Sequence, residues 1–142
     1  MLRRVAIAAS AWILLACPAI GQQSADPLRS LMSNVHQDMI TCVAYFRVVS
    51  NCVANTPQRA ELAAKYGKVA DDLLDKAFLL GRETKISDDA QISRMKLAVN
   101  DMMGLMQRDC TNISSLLSRY MDRCTAVAND PLKPLMDAVQ GK

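Results

Sequence analysis

Cysteines, methionines and a single histidine are the residues of this 142-residue sequence with the most chemistry to offer. Cys42, Cys52, Cys110 and Cys124 remain once Cys17 is set aside with an apolar leader. An even number of cysteines in a small exported domain reads as two disulfides. Met32, His36 and Met39 fall at i, i+4 and i+7, on one face of a helix, and Met95, Met102, Met103 and Met106 crowd a later segment. Thioethers with an imidazole form a soft ligand set suited to Cu(I), or to haem through Met–His ligation. The plainer reading is packing: Met32 and Met39 lie in a heptad row, where methionine fills irregular gaps, and His36 borders solvent at the edge of the stripe.

Catalysis has little to build on. A Ser-His-Asp or Cys-His engine would need His36, and Asp38 points to another side of the helix. GxSxG, Walker, HExxH, GxGxxG and Cys-x-x-Cys patterns are missing from the sequence. Asp71-Asp72 reads as a solvated face and Asp88-Asp89 as a helix start. The expectation is a non-enzymatic protein with no catalytic residue and no cofactor, Cu(I) at Met32, His36 and Met39 being the alternative.

The positioning elements begin with the leader. Residues 1–21 have the parts of a secretory signal peptide: Arg3 and Arg4, an apolar core from Val5 to Ala16, and small residues at Ala19 and Gly21 before a cut at Gln22. A core of about 12 residues reaches roughly 18 Å as a helix, short of the ~30 Å hydrocarbon layer, so no stable membrane span is expected after cleavage. Leu14-Leu15-Ala16-Cys17 looks like a bacterial lipobox, and lipid anchoring at Cys17 is the minority alternative. Lys and Arg total 17 against 14 acidic residues, but two of the arginines leave with the leader. A remainder this close to neutral gives no basis for nucleic-acid binding.

The mature chain reads as helical. Asp26-Pro27 opens a first helix, in which Leu28, Val35, Cys42 and Val49, and Met32, Met39, Phe46 and Val53, recur every seven residues. Asn55-Thr56-Pro57 ends it and caps a second helix along Leu62, Tyr66, Val69, Leu73, Ala77 and Leu80, with Gly81 expected as its C-terminal cap. Ser87-Asp88-Asp89 starts a third run, striped by Ile92, Val99, Met106, Ile113, Tyr120 and Val127. As one helix to Ala128 it would measure near 60 Å, beside ~42 Å for the first, and would project past its partners. Weak helix formers at Asp109-Cys110-Thr111-Asn112 offer a fold-back instead. The expected fold is all-α: a small antiparallel four-helix bundle, with the third and fourth helices as one long helix the alternative. The bundle domain occupies residues 22–130 and a Pro-containing tail 131–142, where Leu132, Leu135, Met136 and Val139 could pack. Expected core residues are Leu28, Val35, Met39, Phe46, Val49, Leu62, Val69, Leu73, Val99, Met106, Ile113, Leu117 and Tyr120.

Helix geometry ranks the disulfide pairings. Cys42 and Cys52 are about 15 Å apart along one helix and Cys110 and Cys124 about 21 Å, too far to bond within intact helices. Measured up from Pro27, Cys42 sits near 22 Å and Cys52 near 37 Å. A fold-back brings Cys110 level with Cys52 and Cys124 down to Cys42, so Cys42–Cys124 and Cys52–Cys110 close together. The Cys-x9-Cys spacing of Cys42 and Cys52 resembles one half of the twin Cys-x9-Cys helical hairpins of the mitochondrial intermembrane space. That resemblance stops there, because 13 residues lie between Cys110 and Cys124 and 57 between the two pairs. It reflects shared helix physics.

These features imply an exported α-helical interaction protein of the bacterial cell envelope, periplasmic or secreted, meeting an envelope or extracellular protein partner. The alternative is a periplasmic carrier of a hydrophobic ligand or of Cu(I). Asn112-Ile113-Ser114 is formally a glycosylation sequon.

Overall fold

The computed structural model describes residues 26–54 and 57–141. The leader, Cys17 and the expected cap Thr56 lie outside the described residues. Among the described residues there is no strand, and five α-helices follow one another: α1 Pro27–Ala54, α2 Ala60–Glu83, α3 Asp88–Leu105, α4 Ile113–Asn129 and α5 Lys133–Val139. Single 3-10 turns, Pro57–Arg59 and Cys110–Asn112, lead into α2 and α4. The stripe that could have continued to Ala128 therefore breaks after Leu105. The Pro-containing tail folds into α5, where Leu135 packs on the core while Leu132, Met136 and Val139 stay exposed.

α1 is the hub, packing against each of the other four helices. Its 28 residues bury far more than the heptad stripe. Ile40, Val43, Ala44 and Val48 are enclosed along with Val35, Met39, Phe46 and Val49. A helix that is apolar on nearly all sides belongs inside. α2 offers it mainly small residues, Ala63, Ala70 and Ala77, with Leu73 and Leu80 between, so two backbones can approach closely. Tyr45 meets Phe46 edge-on at 5.0 Å between ring centroids, Phe46 stacks on Tyr66 of α2 at 6.1 Å, and Tyr45 reaches Tyr120 of α4 at 6.3 Å. Leu28 and Leu62, expected in the core, are 47% and 40% exposed. Each lies in the first turn of its helix, where fewer neighbouring residues flank it.

Cys42 is bonded to Cys124 with Cα atoms 5.1 Å apart, and Cys52 to Cys110 with Cα atoms 5.3 Å apart. These are the pairs expected from helix rise and a fold-back before α4. Together they set α4 running opposite to α1. Arg123 of α4 also pairs with Asp38 of α1, Arg47 of α1 with Asp71 of α2, and Arg82 of α2 with Asp88 of α3. These pairs are exposed, and exposed pairs contribute little. Asp38→Asn is expected to shift the urea midpoint by the equivalent of less than about 1 kcal/mol.

Ser87 caps α3 as its spacing predicts, its side chain accepting from the Ala90 N–H at 3.3 Å. The expectation for Gly81 is overturned. α2 runs on to Glu83, and the C-cap is Thr84. Lys85 takes the left-handed position at φ 61°, and the Ile86 N–H bonds back to the Gly81 carbonyl at 2.8 Å. This is the hydrogen-bond pattern of a glycine-ended helix, achieved without glycine at the turn. α3 ends the same way through Gln107 at φ 55°, followed by Arg108 at φ 59°.

Candidate functional site

Gly81 has a different task, close approach. A side chain there would put its Cβ 2.2 Å from Oε1 of Gln91, the residue of α3 that packs across it. The space left by the glycine lets Gln91 reach α1 at His36 while fully buried. Gln91 Nε2 donates to the Ile86 carbonyl at 3.2 Å and contacts Asp88 Oδ1 at 3.4 Å. Its Oε1 therefore faces inward, 2.9 Å from His36 Nε2. An amide oxygen can only accept, so the imidazole carries its proton on Nε2. Nδ1 is left unprotonated, with the Arg94 guanidinium 3.5 Å away as a long donor. Among the described residues no buried side-chain nitrogen or oxygen lacks a partner.

His36 is thus enclosed, where the sequence reading had it bordering solvent. The reason is tertiary: α3 lies over it and supplies a polar partner. Sequence reasoning passed over Gln91, Arg94 and the role of Gly81. The available signal was a glycine with helix-forming residues still to follow it, together with a glutamine beside the stripe residue Ile92. Met39 lies in the core and Met32 at its margin. The ring nitrogen without a proton faces a cation, so a metal ion there would have to displace Arg94. Cys42, Cys52, Cys110 and Cys124, expected as disulfide partners, are joined in the two bridges.

Burial holds the His36 pKa below its ordinary 6.5, the Gln91 hydrogen bond works the other way, and the Arg94 charge lowers it again. The ring is neutral in the fold and takes up its proton more readily when unfolded. The unfolded chain then binds more protons, so stability is complete above about pH 6.5 and falls as the pH drops below it. The slope reaches up to about 1.4 kcal/mol per pH unit while only the unfolded ring is protonated. Asp88 and Asp109, held below 3.8 by Arg82 and by Thr111, act at lower pH. Urea midpoints are expected to fall between pH 7.5 and pH 5.5, and to fall less in His36→Gln; equal falls in both proteins would refute the buried neutral ring.

Two cavities open beside α1, and the first adjoins the node through Arg94. One of about 330 Å³ is lined by Gln37, Thr41, Arg94, Asp101, Met102 and Tyr120, among others. Another of about 270 Å³ lies between α1, α4 and α5, with Val35, Val127, Pro131 and Pro134 in its wall and Asp38, Asp130 and Asp137 around it. Among the described residues no group of three His, Cys, Asp or Glu side chains is placed to hold a metal ion. No helix there is long and apolar enough to cross a membrane. No family model, curated protein or solved structure matches the chain, so the reading of its site rests on its own residues.

Proposed function

We propose that the chain is an exported, non-enzymatic binding protein of the bacterial cell envelope, periplasmic or secreted, built as an antiparallel bundle that meets another protein through its outer faces. The observation that carries this reading is the environment of His36. The one imidazole around which a catalytic or metal centre would be organised is fully buried and engaged by Gln91 and Arg94, which makes it a fastener between α1 and α3. Two long-range disulfides support an oxidising, extracytoplasmic setting. Large apolar side chains left outside, among them Leu79, Leu97 and Met136, supply area that a partner could cover.

The test is native mass spectrometry of the mature protein from its own envelope, followed by cross-linking in intact cells. The expected result is the mass of the chain with two disulfides and one reproducible cross-linked partner. A larger mass that collapses on mild denaturation would overturn this in favour of the carrier reading. The apolar wall of the cavity between α1, α4 and α5 is what favours that second reading for a hydrophobic ligand.

A further inference from the structure

The two disulfides occupy very different surroundings. Cys42 and Cys124 are both fully buried, under the helices that α1 gathers around itself. Cys52 lies in the last turn of α1, 9% exposed, and Cys110 is only partly buried against the core. Cys110 also follows directly on Gln107, Arg108 and Asp109, all exposed. In this turn the backbone is strained: Gln107 and Arg108 are consecutive non-glycine residues in the left-handed region, at φ 55° and 59°. Such residues persist where the surroundings hold them. The restraints are the Gln107 and Arg108 N–H bonds back to Gly104 and Met103, the Asn112 side chain on the Met106 carbonyl, and the bridge to Cys52.

We propose that Cys52–Cys110 is a redox modification site, opened by a dithiol reductant in the folded protein while Cys42–Cys124 stays closed. A thiolate of the dithiol attacks Cys110 Sγ, which belongs to the more exposed of the two residues. The Sγ–Sγ bond breaks, and Cys52 leaves as a thiolate that takes up a proton. The dithiol is now joined to Cys110 as a mixed disulfide. Its second thiolate attacks its own bonded sulfur, expelling Cys110, which is protonated in turn. The dithiol gives up two electrons and two protons and becomes a cyclic disulfide, while the protein gains two thiols. The α3–α4 turn loses its covalent tie and its left-handed residues can relax. The other bridge keeps α4 on α1. The product is a folded protein with a loosened turn and two thiols near its surface.

Dithiothreitol applied to the oxidised mature chain without denaturant, with timed alkylation and peptide mapping, tests the proposal. Cys52 and Cys110 are expected to be alkylated at least about tenfold faster than Cys42 and Cys124. A single rate for all four, or earlier labelling of Cys42 and Cys124, would overturn it. Hydrogen exchange on the partly reduced protein should accelerate at residues 106–112 and hold at residues 39–46; uniform acceleration counts against the proposal. The Cys52→Ser, Cys110→Ser double variant is expected to keep helical circular dichroism and a cooperative transition. A variant unfolded at 25 °C would show that the bridge cannot be opened without losing the fold.

Discussion

Replacing Cys42 and Cys124 together with alanine is expected to remove on the order of 4 kcal/mol of stability and roughly 10–20 °C of thermal midpoint. The bridge joins residues 82 apart in sequence. Cutting it restores to the unfolded chain the freedom of a long loop. The second bridge joins residues 58 apart, and on chain entropy alone the two differ by only about 0.3 kcal/mol. The native state must decide between them. Removing the inner pair leaves space in a fully enclosed part of the core, which adds to the loss. Removing Cys52 and Cys110 lets Gln107 and Arg108 leave conformations that cost about 1–2 kcal/mol each, which offsets part of it. The Cys52, Cys110 variant should therefore be the more stable of the two in parallel urea titrations. The reverse order would show that the left-handed turn stores no recoverable strain.

Gly81→Ala and Gly104→Ala should move stability in opposite directions. Both glycines lie in the last turn of their α-helices, where alanine is favoured by at most about 1 kcal/mol. A side chain at Gly104 would meet nothing within 4 Å, so that gain is kept. At Gly81 the new methyl would overlap the end of Gln91, with Oε1 at 2.2 Å and Nε2 at 2.5 Å. A flexible side chain could ordinarily swing aside. Gln91 cannot do so cheaply, because it is fully buried and its amide is engaged by His36, Ile86 and Asp88. Displacing it leaves the His36 N–H without its acceptor inside the core. Set against the propensity gain, overpacking and a lost buried hydrogen bond give a net loss of about 2 kcal/mol. Gly81→Ala should also flatten the dependence of stability on pH below about 6.5, because the His36 site opens to water. A Gly81→Ala protein as stable as Gly104→Ala would remove the close-approach argument.

Much of the helical organisation could be read from the sequence because it depends on periodicity and length. The heptad rows through Val35, Cys42 and Val49 place α1, and a rise of 1.5 Å per residue, with a fold-back at Asp109–Asn112, matches Cys52 with Cys110 and Cys42 with Cys124. What escaped depends on neighbours. The stripe gave no hint that Ile40, Val43 and Val48 would also be covered, because burial on the far side of α1 follows from how many helices surround it. Gly81 carries the same letter as a helix terminator, and only the arrival of α3 shows that its missing Cβ makes room. The polar node was hidden for a related reason: Gln91 is ordinary on an exposed helix face and becomes informative only once His36 lies opposite it. Leu28 and Leu62 fit the apolar pattern as well as any core residue, but the pattern does not say where a helix outruns its partners.

The nesting of the two bridges bears on how the oxidised protein is made. If the chain is exported as proposed, N-terminus first, Cys42 and Cys52 arrive together, well before Cys110 and Cys124. Oxidation in order of arrival would join neighbours, and such bridges cannot coexist with intact helices whose cysteines are about 15 Å apart. Every early bond of that kind has to be broken and remade by disulfide isomerisation. A helical α1 prevents the error by holding its two thiols apart, but its valines make it a weak helix alone. It gains support from α2, through Leu73, Ala70 and the Ser50 hydroxyl on the Ala63 carbonyl, and neither bridge runs between those two helices. On that proposal the α1–α2 hairpin would act as a built-in proofreading step, and the yield of correctly bridged protein would depend on how early it forms.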